Sequence, residues 1–119
     1  MTPSSILIGF VALEHVAFFV LESFLFKTPL GLRVFKLTPA AAEASAVLAA
    51  NQGVYNGFLA AGLVWGLIAA PAASLSIKTF FLACVVVAGI VGGATASRSI
   101  FLVQALPGLL ALVLLRTGR

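Results

Sequence analysis

The stretch IKTFFLACVVVAGIVGGATASRSIFLVQALPGLLALVLL, residues 77–115, decides how this chain folds. A helix crosses the hydrocarbon of a bilayer in about 20 apolar residues. These 39 residues are therefore too many for one crossing and predict two helices. Ser97-Arg98-Ser99 is the best place to divide them, giving helices over about 77–96 and 99–115. In the second of these, Pro107 has no N–H to offer the Val103 carbonyl, which predicts a kink.

Working back toward the amino terminus, Thr38-Pro39 reads as a helix start. Threonine caps free amides, and proline at the first helical position lacks an N–H that would have no partner there. This helix is predicted over 39–70, with Glu43 near its positive end and Pro71 closing it. Such a length implies tilt or a first turn outside the bilayer. Ser74 and Ser76 then bracket a short turn. A further helix is predicted over 4–26; it is too long for a signal-peptide core, lacks a basic start and has no cleavage pattern, so it is expected to remain. Between the first two helices, residues 27–37 mix the cations Lys27, Arg33 and Lys36 with five bulky apolar side chains. That mixture predicts a short basic interfacial loop along the headgroups.

Composition agrees. With 62% hydrophobic and 8% charged residues, and a mean hydropathy of +1.22, the chain lies far from soluble globular proteins. The expectation is an all-α integral membrane four-helix transmembrane bundle, one domain over residues 1–119, with no room for a soluble catalytic domain. The net charge of +4 comes from cations at the ends of apolar runs, so it points to interfacial anchors in a lipid bilayer and not to nucleic acid. The lone Cys84 excludes an intrachain disulfide. Four spans place both termini on one side. Lys27, Arg33, Lys36 and Arg98 then oppose Lys78, Arg116, Arg119 and the terminal amine, a count that barely separates the sides and leans toward termini outside.

Polar residues inside such helices are where function is sought. Glu14 and His15 fall near the middle of the first helix, where they must be partnered, protonated or hydrated. His15 and Glu22, seven residues apart, share a face about 10 Å apart. In the second helix, Asn51 with Tyr55 and Gln52 with Asn56 are spaced by four and read as one polar stripe. Counting back from the helix ends at Phe26 and about Ala42 places His15 level with Gly53, while counting from Arg98 places Gln104 near Glu22. On that register, Glu14, His15, Glu22, Asn51, Gln52, Tyr55, Asn56 and Gln104 line one polar cavity. The same groups also suit plain interhelical hydrogen bonding, and Glu22 suits an interfacial anchor paired with Lys27 or Arg98. Gly53 with Gly57, Gly62 with Gly66, and Gly89 with Gly93 are Gly-x-x-x-Gly pairs that let helices approach, within one bundle or in a homo-oligomer.

The segment Asn51-Gln52-Gly53-Val54-Tyr55-Asn56-Gly57, with Glu14-His15 before it and Gln104-Ala105-Leu106-Pro107 after it, resembles the DUF1304 family of small bacterial integral membrane proteins. The resemblance covers essentially the whole chain and implies a four-span protein of the bacterial cytoplasmic membrane. It implies no activity. The residues themselves suggest a small-solute or proton-coupled transporter or channel, with Glu14 and His15 titrating and the Asn51 stripe binding. Alternatives are a ligand-binding or redox component holding lipid, quinone or haem, or an accessory subunit whose stripe meets a partner helix. An enzyme ranks last, because no Ser or Cys nucleophile pairs convincingly with His15, and one His with two carboxylates makes no recognisable metal site.

Overall fold

A computed structural model describes residues 1–119 and is wholly helical. The helices are α1 (Pro3–Ser23), α2 (Pro29–Phe35), α3 (Pro39–Ile68), α4 (Pro71–Thr95) and α5 (Leu106–Arg116), with a π-helical turn at Phe101–Ala105 leading into α5. Two of them, α1 and α4, are long and apolar enough to cross a membrane. Helix α3 is longer than either, but its apolar run is broken by the polar residues of 51–56.

Several expected boundaries move. Helix α1 stops at Ser23, three residues short of Phe26, and the basic loop contains the helix α2. Proline 71 does more than close α3: it opens α4 at once, after a break of two residues, so Ser74 and Ser76 lie inside a helix. The physical reason is that proline is well suited to the first helical position. Ser74 then donates through Oγ to the Gly66 carbonyl at 2.7 Å, tying the start of α4 to α3. Thr38 caps as expected, accepting from the Ala41 N–H at 3.1 Å. Ahead of Pro107 the helix begins as the π-helical turn, in which the Leu106 N–H reaches back to the Phe101 carbonyl.

The chain forms two compact units. The first, residues 1–13 and 59–119, has an aliphatic core of Ile8, Val11, Ala12, Leu63, Leu82, Val85, Ala111 and Leu115. Glycines set its helix spacing. A Cβ at Gly62 would collide with the Phe81 ring, one at Gly89 would lie 2.5 Å from the Ala105 nitrogen, and one at Gly93 would lie 2.5 Å from the Phe101 ring. Gly66 takes the aliphatic stem of Lys78. The chain ends meet here too: the Ser4 N–H is 3.4 Å from the Arg119 carbonyl.

The second unit, residues 14–58, contains the end of α1, all of α2 and the start of α3. Gly53 seats Glu22 and Ser23, and Gly57 seats the Phe19 ring, which makes the two helices antiparallel. Gly53 is thus level with the end of α1 and not with His15, a correction of about two helical turns. The count assumed that α3 engages from Ala42; instead residues 39–52, about 20 Å of helix, run past the end of α1. Helix α2 occupies the connection, with Gly31 packed against the carbonyls of Leu25 and Phe26.

Candidate functional site

All three acidic residues and the single histidine fall in the second unit, on α1 and α3. Helix α1 buries the face carrying His15, which is 0% exposed and meets Phe18 edge to face at 5.4 Å. Glu14 is next in the chain, rotated about 100° around the helix. Its Oε1 is buried and accepts no hydrogen bond. Deep burial of an unbonded carboxyl oxygen is uncommon and demands an explanation, because it forfeits about 1–3 kcal/mol or more.

Two turns further along α1, Glu22 and Ser23 are fastened to α3. The Asn56 side-chain amide donates to Glu22 Oε1 at 2.6 Å, and Ser23 Oγ donates to the Ala50 carbonyl at 2.9 Å. Both bonds surround the seat at Gly53, where the absent Cβ lets the backbones close. Ser23 was not singled out from the sequence; a hydroxyl at the end of an apolar helix, beside a carboxylate, is the signal that marks it. Glu22 was expected to pair with Lys27 or Arg98 as one option, but its bond is to Asn56. Lys27 instead pairs with Glu43 at 3.3 Å.

The predicted stripe splits. Asn56 turns inward to Glu22, while Asn51, Gln52 and Tyr55 are exposed, Tyr55 to 54% and against Phe58. The helical wheel supplies the reason. At about 100° per residue, Asn51 and Tyr55 lie roughly opposite the glycine face that packs on α1, whereas Asn56 flanks it. Gln104 belongs to the first unit, half-buried in the π-helical turn. Neither unit by itself contains the shared polar cavity. All six glycines of the Gly-x-x-x-Gly pairs are met by side chains or backbone of the same chain.

The arrangement can exchange a proton at Glu14 and hold two helices together at Glu22. No group of three or more His, Cys, Asp or Glu side chains is placed to hold a metal ion. A haem iron would reach His15 only after the imidazole was uncovered.

Residues 9–116 match the family described as "Protein of unknown function (DUF1304)". The chain is also 32% identical over 105 residues to "Uncharacterized protein YpaA" of Lactococcus lactis subsp. lactis (strain IL1403), covering 87% of each chain. No solved structure matches it.

Proposed function

Because the chain belongs to the DUF1304 family, whose name carries no activity, we propose its function from its geometry. It is a four-span protein of the bacterial cytoplasmic membrane that moves a proton, alone or with a small solute, by way of Glu14 and His15. Support for the spans comes from the length and apolarity of α1 and α4, from α3 at 30 residues, and from the shorter apolar helix at Phe101–Arg116. An even number of crossings also accounts for the meeting of the chain ends at Ser4 and Arg119.

The observation that carries the function is the buried Glu14 oxygen without a donor, beside a fully enclosed imidazole. Ionisable groups inside membrane helices mark proton and ion pathways. Glu14 takes up a proton from one side, becoming neutral, and releases it to the other; His15, with two ring nitrogens, accepts at one and gives from the other. Protein in liposomes containing a pH-sensitive dye should dissipate an imposed pH gradient, and Glu14→Gln should abolish that flux. Undiminished flux in the variant removes Glu14 from the pathway.

A second reading is favoured by the exposed Asn51, Gln52 and Tyr55. Polar side chains on the outward face of a membrane helix find partners in another helix. On this reading the chain is an accessory subunit of a membrane complex. A partner that co-purifies from native membranes with the wild type, and is lost from Asn51→Leu/Gln52→Leu, separates it from the first.

A further inference from the structure

We propose that the outer face of α2 is a binding site for the headgroups of anionic phospholipids, a reading that rests on the four-span membrane assignment above. The helix is fixed in place at both ends. Thr28 caps it, accepting from the Gly31 N–H at 3.3 Å and donating to the Leu25 carbonyl at 2.6 Å. Phe35 stacks against Phe26 at 5.3 Å, and the Leu37 N–H closes on the Leu32 carbonyl at 2.9 Å. With Gly31 buried and Leu32 and Phe35 half-buried, the opposite face carries Leu30, Arg33, Val34 and Lys36, all exposed. Leu30 and Val34, one turn apart, form an apolar edge; Arg33 and Lys36 form a cationic one. A helix of this pattern lies in the plane of a membrane surface with its apolar edge toward the acyl chains and its cations at the phosphates.

The charge balance of the chain says what the cations meet. It has only three acidic side chains, Glu14, Glu22 and Glu43. Glu43 faces Lys27, Glu22 accepts from Asn56, and Glu14 Oε1 is buried. None remains for Arg33 or Lys36, so their counter-charge comes from outside the chain. The backbone adds an independent point. Lys36 has φ 56° and ψ 47°, the left-handed conformation at the C-cap, and is the one non-glycine residue of the chain with positive φ. Glycine occupies such a position without steric cost and is the usual choice there. A lysine at that position bears the steric cost glycine would avoid, and it sets its charge on the cationic edge.

That backbone conformation provides a test in which binding and folding move apart. The full-length protein is reconstituted in vesicles of phosphatidylcholine and phosphatidylglycerol, extracted gently, and weighed by native mass spectrometry with its retained lipids. Wild type should retain phosphatidylglycerol in preference to phosphatidylcholine, less so as salt is raised. Arg33→Gln/Lys36→Gly should lower the preference by about tenfold or more, in keeping with two cations lost from a charged surface. Its thermal stability should be unchanged or higher, since glycine relieves the left-handed position. Equal preference in variant and wild type overturns the proposal, as does a variant that loses stability while keeping its lipid. A wild type that inserts in vesicles without any preference overturns the lipid site alone. One that fails to insert overturns the membrane assignment with it.

Discussion

The two units of this chain hold opposite inventories. Residues 1–13 and 59–119 contain no acidic side chain and no histidine, and their core is entirely aliphatic. Residues 14–58 contain all three acids, the histidine, and the cross-helix bonds Asn56 to Glu22 and Ser23 to Ala50. Both units use glycine to bring helices close, but to different ends. In the first, Gly62, Gly89 and Gly93 admit rings and backbone, so the packing there rests largely on shape, with the Ser74 to Gly66 bond added at the start of α4. In the second, Gly53 admits Glu22 and Ser23, so closeness serves directed hydrogen bonds. The same small residue thus serves ring and backbone contact in the first unit and a carboxylate and hydroxyl bonded across helices in the second.

If shape carries the first unit, filling a glycine seat there should produce the largest loss of stability. At Gly89 an added Cβ would press on the backbone of Ala105, which cannot rotate away. Gly89→Val should cost about 3 kcal/mol or more, seen as a lowered unfolding temperature or aggregation in detergent, and Gly89→Ala should cost part of it. Gly9 is the control, since nothing lies within 4 Å of its added Cβ. Gly9→Ala should be neutral or gain up to about 1 kcal/mol from helix propensity. Equal stability of the Gly89→Ala and Gly9→Ala proteins would break the claim that close fit governs this unit.

How far the sequence revealed this contrast depends on the distance over which each inference reached. Local signals read correctly: Thr38 as a cap and Pro39 as a first helical residue. Lys27–Leu37 read as an interfacial segment, but its apolar and basic residues are too few for a clear helical period, and α2 was missed. Register was lost because it accumulates error along the chain. Ending α1 at Phe26 and starting the contact at Ala42 displaced Gly53 by about two turns and put it beside His15. The inward direction of the stripe was misread for a different reason. Spacing by four gathers Asn51, Gln52, Tyr55 and Asn56 on one broad face, yet Gly53 and Gly57 define the packed face, and only Asn56 borders it. A wheel centred on the glycines would have separated the four.

The second unit is sharpened by a smaller effect. If directed bonds hold α1 to α3, Glu22→Ala and Asn56→Ala should each destabilise, and the double variant should lose less than their sum. The coupling should be about 0.6–2 kcal/mol, measured by a double-mutant cycle of unfolding in bilayer-like micelles. Additive losses would mean that the 2.6 Å contact is incidental and that the Gly53 seat alone holds this region.

The smallest effect belongs to the ion pair of Lys27 with Glu43, and its smallness is the point of measuring it. The nitrogen and oxygen are 3.3 Å apart, but the side chains are 54% and 74% exposed. Solvent and salt screen such a pair, and fixing two flexible side chains opposes it, so exposed pairs contribute about 0.2–1 kcal/mol. Glu43→Gln should therefore change the unfolding temperature by little, and raised salt should erase the change. Its larger consequence is electrostatic: it leaves Lys27 without a counter-charge beside Arg33 and Lys36, and so should increase retention of phosphatidylglycerol relative to wild type. A marked loss of stability with no gain in lipid retention would show that this pair anchors the connection as firmly as the bonds at Glu22 and Ser23 hold the helices.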